Sequence, residues 1–427
     1  MSREGMLLIS SDGHAGALMA DYRPYLEAKY QEEFDDFLPV WQREGARNFD
    51  PPALARRLDP EFIDEWNEKI VETDRINGYA GSSRRIIEMD REGVAAEVLF
   101  PDFGIPFELH SPSVAAALGE PLRDEHYKRV GMRAFNRWLA DFVAVAPERF
   151  VGIAAISWQQ GPENAIADIR EAQALGFTAT VLPEFDPKMP LYHPDFAPVW
   201  SLMEELGWVV TTHAGLSSTN NAPIHIQAAP HEALGIQLFL PHQFFNVHNL
   251  LAQLIWGAVL ERHPSIKVAL TEQGSAWVLP WLEALDYSYE GSYFRTDYQD
   301  IIRSKPSEYF RRQCFIGSSL FSRAEVAARH EIGLENMMIG MDFPHHEGTL
   351  VGGTTNYLQA TFGAEQVPFE EAVRLLNGNA AAVYGFDVEK LTSIGSRIGP
   401  TPEEILMPPE EDLFPRGDVH RPLGSLA

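Results

Sequence analysis

One cysteine, Cys314, stands in 427 residues. An internal disulfide framework is therefore impossible, and a lone thiol fits a reducing compartment. Long apolar runs are missing as well. No stretch of about 18 apolar residues occurs, and the apolar run near the start, Met6-Leu7-Leu8-Ile9, is too short for the hydrophobic part of a signal peptide. These absences exclude a disulfide-framed secreted module and a helical membrane protein, and a cytoplasmic protein is expected. Positive charge is scarce: 34 Lys and Arg face 61 Asp and Glu, a net −27. So acidic a chain is a poor partner for nucleic acid or an anionic membrane. The charge balance does not dictate the substrate's charge, because a bound cation inverts the local field. Glycine-rich phosphate loops are absent too. No G-x-G-x-x-G follows the first apolar run and no P-loop follows a later one, so the nucleotide-binding α/β folds lose support. Internal repeats and low-complexity tracts are also lacking.

What is present is an ordinary globular mixture, 45% hydrophobic and 22% charged. Eight short apolar runs begin at Met6, Ala96, Val151, Thr178, Trp208, Lys267, Cys314 and Met337. Continuous rather than alternating apolarity is the signature of parallel strands buried on both faces. Helical patterns alternate with them, at 82–92 (stopped by Gly93), 123–145, 162–175 (stopped by Gly176), 196–206 (stopped by Gly207), within 238–262, 323–332 and 369–377. The alternation predicts an α/β fold, a (β/α)8 TIM barrel. Residues 1–390 are assigned to the barrel, with 17–80 as an inserted loop and helix segment near its mouth. Residues 391–427 form a C-terminal extension of little periodicity.

In a barrel of this kind the chemistry sits where the strands end, on one rim. The first strand breaks into Ser10-Ser11-Asp12-Gly13-His14. Asp12 and His14, two apart, point to one side of an extended chain, and Gly13 lets the backbone turn between them. The fifth strand ends in Thr211-Thr212-His213, the sixth in Thr271-Glu272 and the eighth in Gly340-Met341-Asp342. Two imidazoles and two or three carboxylates on one rim suit a divalent metal. Their mixed charge leaves the ion's surroundings near neutral, so a bound water can be acidified. Zinc is the first expectation, with manganese or another divalent ion as the alternative.

Each feature also has a plainer reading. Asp12 and His14 can cap the following segment, His213 can be a core histidine, and Glu272 can be a supporting ion pair. His345, soon after Asp342, is placed in an active-site loop, facing substrate or supporting a ligand. His346 and Glu347 are read as scaffold hydrogen-bonders. The apolar segment 238–260, with His242 and His248, reads as a buried helix or a subunit contact, from which a homo-oligomer is expected. Tyr22, Tyr25, Tyr30, Trp41, Trp66 and Tyr79 read as packing, with a lid over an aromatic substrate as the alternative.

Six stretches carry a family resemblance: SSDGHAG at 10–16, RRIIEMDREGVAAEVLFPD at 84–102, HPDFAPVWSLMEELGWVVTTHAG at 193–215, ERHPSIKVALTEQGSAWV at 261–278, GMDFPHHEG at 340–348 and LNGNAAAVYGFD at 376–387. On these the chain resembles the amidohydrolase superfamily, in its amidohydrolase-related group of aminocarboxymuconate-semialdehyde decarboxylase-like enzymes. The resemblance implies that Asp12, His14, His213 and Asp342 are the metal ligands. Two departures stand out. The first strand carries Asp-x-His where many relatives carry His-x-His or Glu-x-His. Glu272 stands where many of the decarboxylases carry a catalytic histidine.

A carboxylate at 272 can complete the metal site, act as general base, or repel a substrate carboxylate. Repulsion counts against decarboxylating an acid. The expectation is therefore a metal-dependent hydrolase that opens an amide, ester or lactone of a small organic substrate, aromatic ones included. Asp342, Glu272 and His345 are its catalytic groups, and Asp12, His14, His213, Asp342 and Glu272 hold the ion. The alternative is a non-oxidative decarboxylase of a small aromatic or dienoic acid. Substrate choice is expected to reside in 17–80 and 216–250.

Overall fold

The computed structural model describes residues 4–45, 63–64, 66–102, 104–109, 124–182, 189–213, 230, 234, 238, 248–291, 297–345, 348 and 353–409. His242, His346, Glu347, most of 216–247 and the end of the C-terminal extension lie outside them.

Among the described residues, eight parallel strands are formed: β1 Ile9–Ser10, β2 Ala96–Leu99, β3 Phe150–Gly152, β4 Ala179–Val181, β5 Val209–His213, β6 Lys267–Thr271, β7 Cys314–Ser318 and β8 Met337–Ile339. Ladders run β1-β2-β3 and β4-β5-β6-β7-β8. Both seams between these sheets are hydrogen-bonded. Ala154 N donates to Ala179 O (3.0 Å) and Val181 N to Ala154 O (3.2 Å) beside β3 and β4. Ser11 N donates to Ile339 O (2.8 Å) and His14 N to Phe343 O (2.7 Å) beside β1 and β8. The strands therefore follow one another around a (β/α)8 barrel.

The period of two along each strand sorts side chains into two cores. Val98, Val209, Ala269 and Met338 fill the barrel interior with Ile9, Ile153 and Ala179, and Ala380, Tyr384 and Phe386 join that cluster. Their neighbours Leu99, Val210, Val268, Leu270 and Ile339 face the helical layer. That layer includes α1 Ser82–Glu92, α2 Glu125–Ala144, α3 Pro162–Ala174, α4 Ala197–Leu206, α5 Val278–Gly291, α6 Pro306–Gln313 and α7 Val388–Ile398. Asp124 caps α2 by accepting from His126 N (2.9 Å). Gly93 and Gly207 close α1 and α4 in the left-handed region that favours glycine.

Three elements differ from expectation. The helix expected over 323–332 breaks at Ala328 into Arg323–Ala327 and Arg329–Ile332. Of the segment 238–262, residues 248–256 are helical and Val259–Arg262 follows after a left-handed Ala258. The stretch after 389, read as having little periodicity, contains most of α7. Leu391 and Ile394 of α7 pack onto the interior cluster, and Gly395 packs closely on Leu7.

The aromatics of the early segment divide between flank and mouth. Tyr22, Phe34 and Phe37 are buried with Phe107, Phe135 and Trp138, the last two from α2. Trp66, Ile70, Ile76 and Tyr79 gather on Phe343, just beyond β8. Among the described residues, no helix is long and apolar enough to cross a membrane.

Candidate metal centre

The site is assembled where β1 and β8 meet. Met341 N donates to Ser10 Oγ (2.8 Å), Ser11 Oγ to Ile339 O (2.9 Å) and Asp342 N to Asp12 O (3.0 Å). Gly340 permits this approach, because a Cβ there would run into the Asp12 side chain. Beyond β6 and β8 the chain enters the left-handed region at Glu272 (φ 61°) and Asp342 (φ 52°). That region costs a non-glycine residue about 1–2 kcal/mol, so the surroundings must hold both residues there.

All six candidate side chains come together, in a closed circuit that alternates acid and imidazole. Asp12 Oδ1 lies 3.3 Å from His213 Nε2, and His213 Nδ1 lies 3.1 Å from Glu272 Oε2. Glu272 Oε1 is 3.4 Å from His345 Nδ1, which is also 3.1 Å from Asp342 Oδ1. The same Asp342 oxygen is 3.1 Å from His14 Nε2. His14 returns to Asp12 along β1, and its ring stacks on His345 at 4.1 Å and meets His213 edge-on at 4.7 Å.

Electrostatics separate these groups. Burial pushes the Glu272 carboxyl up to about 7, against the opposing pull of His213 and His345. Burial would also raise Asp342, but the facing imidazoles of His345 and His14 outweigh it and hold its carboxyl well below the usual range. His345 moves the other way. Desolvation opposes its charge, yet Asp342 and Asp102 raise it well above an ordinary histidine.

The donor set fits a divalent cation. His14 Nε2 and both Asp342 oxygens are buried without a hydrogen-bond partner. Although His14 Nε2 and Asp342 Oδ1 are only 3.1 Å apart, they are not aligned to share a proton, as expected when lone pairs converge on a common ion. Donor atoms of Asp12, His14 and His213 lie within 4.8 Å of one another, and so do those of His14, Glu272, Asp342 and His345.

Residues not anticipated from the sequence support this circuit. Ser319, just past β7, donates to Asp12 Oδ2 (2.9 Å). Asp102, just past β2, faces His345 Nε2 at 3.5 Å. Both stand at strand ends, the signal that located the ligands. Glu325 accepts from Ser275 N and from Ser275 Oγ (2.8 Å), pinning the loop that follows Glu272. Locally the sequence announces Glu325 only as the end of the Ser322–Glu325 capping box, where it accepts from Ser322 N (2.7 Å); its hold on Ser275 comes from the fold.

The amidohydrolase family model matches residues 90–386. A curated relative, gamma-resorcylate decarboxylase from Polaromonas sp. (strain JS666), is 25% identical over 279 residues, covering 61% of this chain and 76% of the relative. Two solved structures share the fold. The 5-carboxyvanillate decarboxylase from Sphingomonas paucimobilis aligns with a TM-score of 0.59 at 20% identity, over 90% of this chain and 100% of its own. A dihydroxybenzoic acid decarboxylase from Polaromonas sp. JS666, solved with manganese and 2-nitroresorcinol, aligns with a TM-score of 0.54 at 16% identity, over 90% and 97%.

These names correct the expectation of a hydrolase in favour of its alternative, a carboxy-lyase. The physical error lay in treating Glu272 as a fixed negative charge that repels a substrate carboxylate. Largely enclosed, it is raised to about 7 by desolvation against the pull of His213 and His345, and carries less charge near neutrality than a free glutamate. Matched from the last turns of α1 to the helices beyond β8, the chain belongs to the amidohydrolase family.

Proposed function

We propose that this protein is a metal-dependent, non-oxidative decarboxylase of a hydroxylated aromatic acid. The observation that carries the reading is the company the chain keeps: its named relative and both named neighbours decarboxylate acids of this kind. Asp12, His14, His213 and Asp342 hold the ion and Glu272 flanks it. Manganese leads, since the Polaromonas enzyme carries it, and zinc is second. An ion held by these residues would supply Lewis acidity to the reaction.

Decarboxylation breaks the bond between ring carbon and carboxylate. The electron pair stays on the ring carbon, which takes up one proton, and carbon dioxide departs. Glu272 and His345 are the members of the circuit open to the mouth, 15% and 19% exposed, whereas His14 and Asp342 are sealed. The Glu272 carboxyl, raised to about 7, delivers the proton to carbon. His345 Nδ1, 3.4 Å from Glu272 Oε1, replaces it, and Asp102 holds the far side of that ring.

The test offers manganese- or zinc-loaded protein a panel containing 2,6-dihydroxybenzoate and 5-carboxyvanillate, and measures carbon dioxide. Release is expected, with one deuterium on the vacated carbon in heavy water. A protein that binds the metal yet releases no carbon dioxide from any member of the panel refutes the reading.

A further inference from the structure

Arg85 of α1 is wholly buried, and its guanidinium is directed at backbone and one acid. Nε donates to Glu97 Oε2 (2.6 Å), Nη1 to His14 O (3.1 Å) and Nη2 to Phe343 O (3.4 Å). The first carbonyl belongs to a candidate ligand beyond β1. The second follows Asp342 beyond β8 and also accepts from His14 N (2.7 Å). The guanidinium lies 3.8 Å over the Phe343 ring. Gly13 leaves it room, since a Cβ there would stand 2.8 Å from Arg85 Nη2.

A buried cation is costly unless charge and acceptors surround it. Glu97, itself buried on β2, provides the charge. The planar fork of arginine holds several acceptors at fixed spacing, which a lysine ammonium cannot reproduce. Arg85 also lies ahead of the matched stretch 90–386, so the family match does not assign it a role.

We infer that Arg85, charge-balanced by Glu97, is a positioning residue that sets the separation of His14 and Asp342 and thereby the metal affinity of the site. The inference rests on reading that site as a metal centre. Partners that orient ligands typically govern affinity by about 10–100-fold.

The experiment titrates full-length, metal-stripped protein with Mn2+ and Zn2+ against a chelating indicator, alongside circular dichroism and thermal melts. Arg85→Lys is expected to weaken binding by about 10-fold or more, and Glu97→Gln by about 10-fold, while each keeps its far-ultraviolet spectrum. Arg75→Lys is the control for losing any buried arginine. Arg75 is also buried, paired with Glu88 (2.5 Å) and Glu92 (2.7 Å), and its variant should bind metal within about twofold of wild type even where its melting temperature falls. Wild-type affinity in a folded Arg85→Lys protein overturns the inference, as does an equal loss in Arg75→Lys. If Arg85→Lys does not fold, a folded Glu97→Gln with wild-type affinity overturns it, and if neither folds the pair is a folding element and the inference falls. Wild-type protein that binds no metal refutes the metal-centre reading itself, a result distinct from all of these.

Discussion

Glu272→Gln in the metal-stripped protein probes the titration of one buried carboxyl. The replacement keeps size and hydrogen-bonding capacity and removes the charge. In the unfolded chain the carboxyl ionises near 4.5, and in the folded protein near 7, because burial outweighs His213 and His345. Between these values the folded state holds the proton more tightly, so the acid form stabilises the fold. That contribution is complete below pH 4.5 and disappears as pH rises through 7. At 1.36 kcal/mol per pH unit the displacement is worth about 3 kcal/mol. His345, 3.4 Å away, titrates together with Glu272, so the comparison reads the carboxyl with its coupled neighbours rather than alone. Urea unfolding followed by tryptophan fluorescence, with chelator present, should be run at pH 5, 6, 7 and 8. The stability of wild type minus that of Glu272→Gln should fall by about 2–3 kcal/mol from the first to the last. A difference flat to about 0.5 kcal/mol, or one that rises, refutes the claim that this carboxyl is held protonated by its surroundings.

Removing an imidazole should empty the site. His213→Ala leaves Asp12 and Glu272 without their shared neighbour, and elemental analysis after dialysis should find less than about a tenth of the wild-type metal; undiminished content would remove His213 from the ligand set. Ser319→Ala deletes the hydroxyl that donates to Asp12 Oδ2 (2.9 Å), so chelator competition should show about 10-fold weaker binding, and unchanged affinity would make Ser319 a bystander. Phe34→Ala probes the early aromatic segment. Phe34 is fully buried with its ring 5.5 Å from Phe107, and its loss should cost about 3–5 kcal/mol in denaturant unfolding while turnover per bound metal is kept. Turnover lost at intact stability would favour the lid reading of that segment.

The barrel was legible because strands buried on both sides appear in sequence as unbroken apolar runs, and because Gly93 and Gly207 punctuate the helices between them. β7 runs over Cys314–Ser318 and α1 over Ser82–Glu92, as the pattern predicts. β1 begins at Ile9 rather than at Met6, whose N donates instead to Pro400 O (2.8 Å). Five of the six candidate residues were legible for one reason, a ligand-capable side chain at a strand end, and His345 was read from its place in the loop after Asp342. Arg85 and Glu325 were not legible, because each supports the site through groups the sequence does not bring near it, whereas Ser319 and Asp102 carry the same strand-end signal as the ligands. Arg85 serves carbonyls of residues 14 and 343, and Glu325 serves the backbone of residue 275. One clue to the clamp was nevertheless present. Glu97 is a lone acid in the apolar run Ala95-Ala96-Glu97-Val98-Leu99-Phe100, and a buried carboxylate calls for a buried cation. Arg85 stood one helix away.

Backbone conformation explains how Glu272 enters the circuit at all. On β5 the regular alternation suffices, since Thr211 and His213 share the inward face. On β6 it does not. Thr271 already faces inward, its Oγ1 3.1 Å from Thr211 Oγ1, so in a continued strand residue 272 would face the helical layer. The strand instead stops at Thr271, and the left-handed turn at Glu272 brings a second consecutive side chain over the mouth. Glu272 N still donates to Gly317 O (2.8 Å), and Glu325 fastens the loop beyond. The alternative is worse on energetic grounds. A carboxylate turned into the apolar layer without a partner costs several kcal/mol, against about 1–2 kcal/mol for the left-handed residue. The strain at Glu272 is therefore the cheaper way to place an acid between two imidazoles, and it ties the position of this carboxyl to where β6 ends.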